Sequence, residues 1–549
     1  MKTERRYLLV LAALALLYVG AFFSETWQTG DDARYYGAAL ALVKGEGYTA
    51  SYLPDSPPEN LTPPAHPFLI AAAMKVFGVG VLPGKILGAL LFVVATILCF
   101  AWALDFFKRE TWFAFCATAA GMFTLGLLSM SSWYMAEMSY LCGAFSAILL
   151  FDRAEARGFR ASSMIAAGLV VGFAYLSRGV GLSLLAAAGT VCLIRRRWLA
   201  AIWFGVGFAL LAVPWMVRNF VVVGALDGYV PHYAGMTGAG EHGMRYPWMR
   251  VFHDVSVAFP KYFVQDLPSS FFFGLLDGRF LLGKLGLGFL AEPIRFLFLG
   301  LILFGFALRL RRPGITEFYW VFYWLIISAP PFPPQGNWYV YPMLPFAAAY
   351  LINAIRAIAR WFPAPAAPRI AYAGTFAVLA YNLATASVGG AIHFVKELPR
   401  WKYGPWEPAR YFYYENEYYD AWARFVEAGQ WVASNLPPTT LIASRQAQQM
   451  YLMVGRQGWR YDLAQVPGTN LWDRMQRFEA QGRPVALIED AFKSYEGATF
   501  SYGVGHWAYR DLFEHHLNDL ELVYSTEAPV TRVWVMRSKA PEAEADQKP

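Results

Sequence analysis

Residues 7–23 read YLLVLAALALLYVGAFF, with Lys2, Arg5 and Arg6 before them and Ser24-Glu25-Thr26-Trp27 after. A helix that crosses a bilayer needs roughly 20 mainly apolar residues, and this run is close to that length. A short basic segment followed by an apolar one also resembles a secretory signal. No small-residue cleavage site follows Phe23, so the run reads as a retained first helix. Ten further runs of this kind follow: about Val81–Phe107, Thr111–Leu128, Ser131–Leu150, Ala161–Leu176, Gly179–Ile194, Trp198–Val217, Leu287–Leu308, Phe318–Ala329, Val340–Ile358 and Ile370–Ile392. Composition agrees. The chain has 549 residues, 57% hydrophobic, 17% aromatic and 15% charged, where a soluble protein carries about 25% charged. The expected fold class is an all-α polytopic membrane domain of about eleven transmembrane helices.

Positive charge orients these helices. Basic residues fill alternate short gaps: Arg5 and Arg6; Lys108 and Arg109; Arg153, Arg157 and Arg160; Arg195–Arg197; Arg309, Arg311 and Arg312; Arg356, Arg360 and Arg369. The positive-inside rule makes these gaps cytoplasmic. The N-terminus is then cytoplasmic, and the first outer loop (25–67), a second outer segment (218–284) and the C-terminal region face outward. The net charge of +7 is spread through the gaps instead of gathered on one face, which gives no footprint for nucleic acid. Cys99, Cys116, Cys142 and Cys192 all fall in apolar runs, with neither a disulfide framework nor zinc spacing.

The composition changes at about Trp401. Helical periodicity over Glu417–Asn435, Gln446–Val454, Asn470–Ala480 and Trp507–Leu517 alternates with strands at Thr440–Ser444, Pro484–Ile488, Leu520–Ser525 and Thr531–Arg537. The domain expectation is a transmembrane domain over 1–400, an extracytoplasmic α/β domain over 401–539 and a charged tail over 540–549. Tyr411–Tyr414, Tyr418, Tyr419 and Trp422 read as an interfacial belt, or as a platform for sugars.

Several stretches stand in a telling order: Asp31-Asp32-Ala33-Arg34-Tyr35-Tyr36, Gly45-Glu46-Gly47-Tyr48, Pro63-Pro64-Ala65-His66-Pro67, Leu176-Ser177-Arg178-Gly179, Pro214-Trp215-Met216-Val217-Arg218-Asn219, and Trp338-Tyr339-Val340-Tyr341-Pro342-Met343-Leu344-Pro345. Singly each is weak. As an ordered set they resemble the GT-C class of membrane glycosyltransferases, and within it the bacterial relatives of protein O-mannosyltransferases and of the lipid A aminoarabinose transferase. The resemblance implies an enzyme of the bacterial inner membrane with a periplasmic C-terminal domain. It would transfer a hexosyl or pentosyl group from a polyprenyl-phosphate sugar donor to a lipid, glycan or protein acceptor.

That chemistry needs a carboxylate to take the proton of the acceptor hydroxyl and cations to meet the charge on the leaving phosphate. Asp31, matching the first acid of the motif, is the expected general base, although an Asp there also suits a helix cap. Asp32 is expected to orient the acceptor or bind metal, or to be a solvated neighbour. Glu137 stands where relatives carry a second acid. Arg178 and Arg218 lead as donor-phosphate ligands, with snorkelling at helix ends as the plain alternative. Lys85, Arg34 and His66 are weaker phosphate candidates, and Tyr35, Tyr36 and Tyr339 are substrate-binding candidates. Two positions depart from the family: Thr62 replaces a Lys before the Pro pair, and Trp338 replaces an Arg before Tyr339. A divalent metal stays open, since no two His have helix ligand spacing. A transporter or flippase of lipid-linked sugars is the alternative reading; its broken helices would put polar groups at the midplane. A catalytically silent scaffold is a third.

Overall fold

The computed structural model describes residues 2–23, 30–226, 255–276, 281–329, 337–403, 416–444, 446–460, 471–490, 512–528 and 530–537. Tyr411–Tyr414, the tail and much of the 218–284 segment lie outside these residues, as do the side chains of Tyr418, Tyr419 and Trp422. The chain forms two compact units. One gathers 1–25, 60–229 and 240–398, and the other 26–59, 230–239 and 399–549. The first loop is therefore divided. Its 26–59 portion, assigned above to the membrane domain, belongs with the C-terminal domain, because its contacts are made there.

Among the described residues of the first unit, six helices are long and apolar enough to cross a bilayer: Thr3–Phe22, Val81–Phe106, Trp198–Val222, Gly288–Arg309, Asn337–Ala359 and Ala366–Val395. Glu137–Ala156 and four shorter apolar helices, Thr111–Met122, Ala161–Ser177, Gly179–Ile194 and Ile315–Ser328, answer the other five expected segments. One expected helix is broken. Thr111–Leu128 divides into Thr111–Met122 and Leu125–Met130, where Gly121 and Gly126 admit the Pro345 backbone and the Tyr341 ring to within 2.4 Å of where a Cβ would stand. A further helix, Ala65–Phe77, was not foreseen. Its 13 residues span about 20 Å, short of the hydrocarbon core.

Small residues set the helix crossings, as expected where close backbone approach replaces hydrophobic drive. A Cβ on Gly168 would lie 2.1 Å from the Phe204 carbonyl oxygen, and one on Gly207 would lie 2.2 Å from that of Ile165. These reciprocal glycines bring Ala161–Ser177 against Trp198–Val223. Elsewhere Trp102, Phe145 and Phe346 form an aromatic layer, with Phe145 stacked on Phe346 at 5.2 Å. Ion pairs join the basic gaps at one end of the bundle: Arg109 to Asp105 and Glu4, Arg195 to Glu155, Arg309 to Glu317, and Arg356 to Glu110.

The second unit is built on a five-stranded sheet: β1 (Leu441–Ser444), β2 (Gly458–Arg460), β3 (Val485–Glu489), β4 (Leu520–Ser525) and β5 (Arg532–Met536), in the order β2-β1-β3-β5-β4. β1 runs parallel to β2 and β3, and β5 antiparallel to β3 and β4. Every residue of β1 and β3 is buried, as the middle strands of a two-faced sheet must be. One face packs Leu441, Ala443, Val485 and Leu487 against Trp459, Trp472, Met475 and Phe478. The other packs Ile442, Ala486 and Ile488 against Phe425, Ala428, Val432 and Met450. Each such large side chain contributes about 1.5–3 kcal/mol. The expected strands and the first three expected helices are present, much of the fourth, Trp507–Leu517, lies outside the described residues, and β2 is an addition.

Candidate functional site

Within the membrane unit, the helices Glu137–Ala156 and Ala161–Ser177 are joined by a short turn and so run antiparallel. The start of one therefore meets the end of the other. Glu137 opens its helix, where the helix dipole favours a carboxylate. Arg178 follows the last turn of its partner in extended backbone. The turn beyond it folds back tightly, and a Cβ on Gly181 would sit 2.5 Å from the Tyr175 nitrogen. Arg178 Nη1 donates to Glu137 Oε1, and the two side chains are only 13% and 1% exposed. The ring of Tyr339 lies 5.4 Å from the Arg178 guanidinium carbon. Three expected site residues thus converge.

Behind them stand residues that sequence reasoning passed over. The Tyr323 hydroxyl donates to the Tyr339 carbonyl at 2.7 Å. Tyr140 and Tyr319 share a hydrogen bond of 2.8 Å, and Tyr262 packs its ring 5.9 Å from that of Tyr339. Tyrosines in apolar runs look like interfacial aromatics; only the i, i+4 spacing of Tyr319 and Tyr323 hinted at a shared face.

Lys85 and His66 both bond backbone carbonyls of the 131–134 loop. Lys85 is fully buried; its ammonium donates to the Ser132 carbonyl at 2.5 Å and lies 5.3 Å from the centroid of the Tyr134 ring. His66 Nε2 bonds the Tyr134 carbonyl at 2.9 Å. Burial holds the His66 imidazole down at about 4. Both side chains pin the loop that leads into Glu137. Glycines explain how the loop comes so close: a Cβ on Gly84 would meet the Tyr134 ring at 2.3 Å, and one on Gly88 the Ser131 carbonyl at 2.7 Å. Arg218 lies inside a helix, not at its end, since Trp198–Val223 continues past Pro214 to a left-handed Gly224. Trp215 packs under its guanidinium at 5.0 Å, and Asn219 accepts from it at 3.1 Å.

The second unit holds the paired acids. Asp31 and Asp32 sit in the first turn of the Gly30–Lys44 helix, which packs on the Ala447–Val454 helix of the α/β domain. Asp31 is 54% exposed, with Arg34 at 3.9 Å, whereas Asp32 is buried. Tyr35 and Tyr36 are buried too, and burial raises the Tyr36 phenol. Arg34 also hydrogen-bonds Tyr52, itself buried beside Glu59 and Gln448. The Gly45-Glu46-Gly47-Tyr48 motif now has a physical reason: Gly45 and Gly47 have φ of 80° and 78°, a region that glycine enters without steric cost. From there the chain forms a small closed loop, with Ala50 donating to Pro57 and Glu59 to Tyr48. That loop is fastened to the α/β domain by Gly458 N to Tyr52 O at 2.9 Å, Gln457 to Ser51 and Ser56, and Arg483 to Asp55 at 2.6 Å.

The expected residues therefore fall into three groups: Glu137, Arg178 and Tyr339; Lys85 and His66 on the Ser131–Tyr134 loop; and Asp31, Asp32, Arg34, Tyr35 and Tyr36 in the second unit. Arg218 is set beside Trp215 and Asn219. Among the described residues, no set of three His, Cys, Asp or Glu converges, and Glu137 is paired with Arg178.

A polytopic helical domain followed by a C-terminal α/β domain is the GT-C-like architecture. Among solved structures, the chain is similar to ArnT from Cupriavidus metallidurans bound to undecaprenyl phosphate, with 14% identity and a TM-score of 0.54 over 97% of this chain and 98% of that one. The apo state of ArnT gives 13% identity and a TM-score of 0.56, with the same coverage of both chains. AglB from Archaeoglobus fulgidus, in complex with an inhibitory peptide and a dolichol-phosphate, gives 15% identity and 0.55 over 91% of this chain and 71% of that one. Identities this low establish a common fold. No protein-family model and no curated protein sequence matches the chain.

Proposed function

We propose that this protein is an integral membrane glycosyltransferase using a polyprenyl-phosphate sugar donor. The observation that carries the reading is the ring-backed, carboxylate-clamped Arg178, in a fold shared along nearly its whole length with a protein solved with undecaprenyl phosphate. A guanidinium offers five N–H donors in a fixed fork, so a carboxylate on one edge is compatible with an oxyanion on another. Arg178 meets the donor phosphate in this reading, with Tyr339 beside it. Arg218, with Lys85, Arg34 and His66 behind it, remains a weaker candidate for the same work.

In the reaction, the acceptor hydroxyl oxygen attacks the anomeric carbon as the carbon–oxygen bond to phosphate breaks, inverting the centre. Asp31 takes the hydroxyl proton, which suits its exposure. The polyprenyl phosphate leaves with the bonding electron pair as an anion, and Arg178 stabilises the charge that develops. Asp32 and Glu137 are the further acids of this reading, and Tyr35 and Tyr36 its substrate-binding candidates. The transferred group is a hexose or pentose, and the acceptor a lipid, glycan or protein. The alternate basic gaps support a bacterial inner-membrane location, with the N-terminus cytoplasmic and the C-terminal domain periplasmic.

The test is turnover by the full chain in sealed proteoliposomes with undecaprenyl-phosphate sugars. Release of undecaprenyl phosphate that depends on an acceptor supports the reading. Movement of intact donor across the bilayer without cleavage would replace it with a flippase.

A further inference from the structure

We infer that Tyr323, together with the Tyr140–Tyr319 pair, is a positioning residue for the anion-binding edge of Arg178. The inference rests on the reading above, in which Arg178 meets a polyprenyl phosphate.

Glu137 and Tyr140 are three residues apart on one helix, and Tyr319 and Tyr323 four apart on Ile315–Ser328. Each pair occupies one helix face, and the two faces meet, with the Tyr140 and Tyr319 hydroxyls 2.8 Å apart and the Tyr140 and Tyr323 rings 6.4 Å apart. All three tyrosines are fully buried and lie within the field of Arg178. The polar column stops abruptly. One step further from Glu137, Tyr319 packs on Phe346 at 5.2 Å, and Phe346 on Phe145 and Trp102. Phenylalanine would fill the tyrosine positions as well if packing alone mattered, and a buried hydroxyl is costly unless it is bonded. Here each hydroxyl has its bond, Tyr140 and Tyr319 to each other and Tyr323 to the Tyr339 carbonyl.

Their effect runs through Tyr339. Tyr323 donates to the Tyr339 carbonyl, which fixes the short Asn337–Tyr339 turn. Tyr262 bears on the Tyr339 ring from a second element. The ring then forms one wall for the guanidinium, while Glu137 holds an edge. With an edge and a face both fixed, Arg178 presents a single orientation to an incoming phosphate.

The experiment compares binding of undecaprenyl phosphate and of neutral undecaprenol to the full-length protein in nanodiscs. Tyr323→Phe should weaken undecaprenyl phosphate about ten-fold and leave undecaprenol affinity unchanged, so that the ratio of the two affinities falls whatever the variant does to the melting temperature. Tyr140→Phe should move the same ratio in the same direction. Wild-type ratios in both variants, or equal weakening of both lipids, overturn the positioning role. A wild-type protein without preference for the phosphate, or one whose preference survives Arg178→Ala, overturns the phosphate-site reading itself and the inference with it.

Discussion

Arg178 and Glu137 form a buried ion pair between the end of one helix and the start of its antiparallel neighbour. Loss of one partner of such a pair leaves a charge without compensation and costs about 3–5 kcal/mol, while removal of both is often tolerated. Glu137→Gln should therefore lower the melting temperature more than the Glu137→Gln, Arg178→Gln double variant does. Activity should be lost in both. A double variant as unstable as the single one would show that the pair is not coupled.

The two adjacent aspartates are expected to separate by phenotype. Asp31 is exposed and Asp32 buried. Asp31→Asn should fold normally, bind donor and lose about 10²–10⁴ in turnover, the range for a general base. Asp32→Asn should show its first defect in folded yield. Turnover at the wild-type rate by Asp31→Asn removes that residue from the chemistry.

His66 gives stability a pH dependence of known sign. Its folded value, about 4, lies below the unfolded 6.5, so the unfolded chain binds the extra proton between them. The contribution is present in full above pH 6.5 and fades as pH falls toward 4, by about 3 kcal/mol at most. Thermal unfolding across that window should steepen toward acid in the wild type and flatten in His66→Gln. Parallel profiles for the two proteins would rule out His66 as the source.

Gly168 should not tolerate a side chain. With the Phe204 carbonyl oxygen 2.1 Å from where a Cβ would stand, Gly168→Val forces the two helices apart and should cost about 1–3 kcal/mol, as overpacking does. Gly189, with nothing within 4 Å of that position, is the control, and Gly189→Ala should express like the wild type. Equal yields from Gly168→Val would mean that the crossing is not close.

Much of this was legible in the chain, because apolar run length and alternate basic gaps depend on the bilayer alone. The strands of the α/β domain could also be read, since β1 and β3 are continuous apolar runs. β2 could not: Gly458-Trp459-Arg460 has no pattern of its own and is a strand only because Ile442–Ser444 lies beside it. The setting of Lys85 was hidden for a related reason. A lysine at a helix start shows no partner in the sequence, and only the structure reveals that Gly84 and Gly88 admit a distant loop that its ammonium bonds. Of the candidate site, the charged members were visible and the tyrosines behind them were not. Hydroxyls in apolar runs acquire meaning only from what faces them.

The fastening of the first loop to the α/β domain sets a timetable for biosynthesis. Ser51 is bonded by Gln457, a partner 406 residues later in the chain, and translation at 5–20 residues per second takes roughly 20–80 s to cover that distance. Throughout that interval the Asp31 helix exists without the domain it packs on. The ribosome can complete every apolar helix before the proposed base reaches its lasting setting. A nascent chain halted before residue 441 would hold the Asp31 helix without the Ala447–Val454 helix on which it packs.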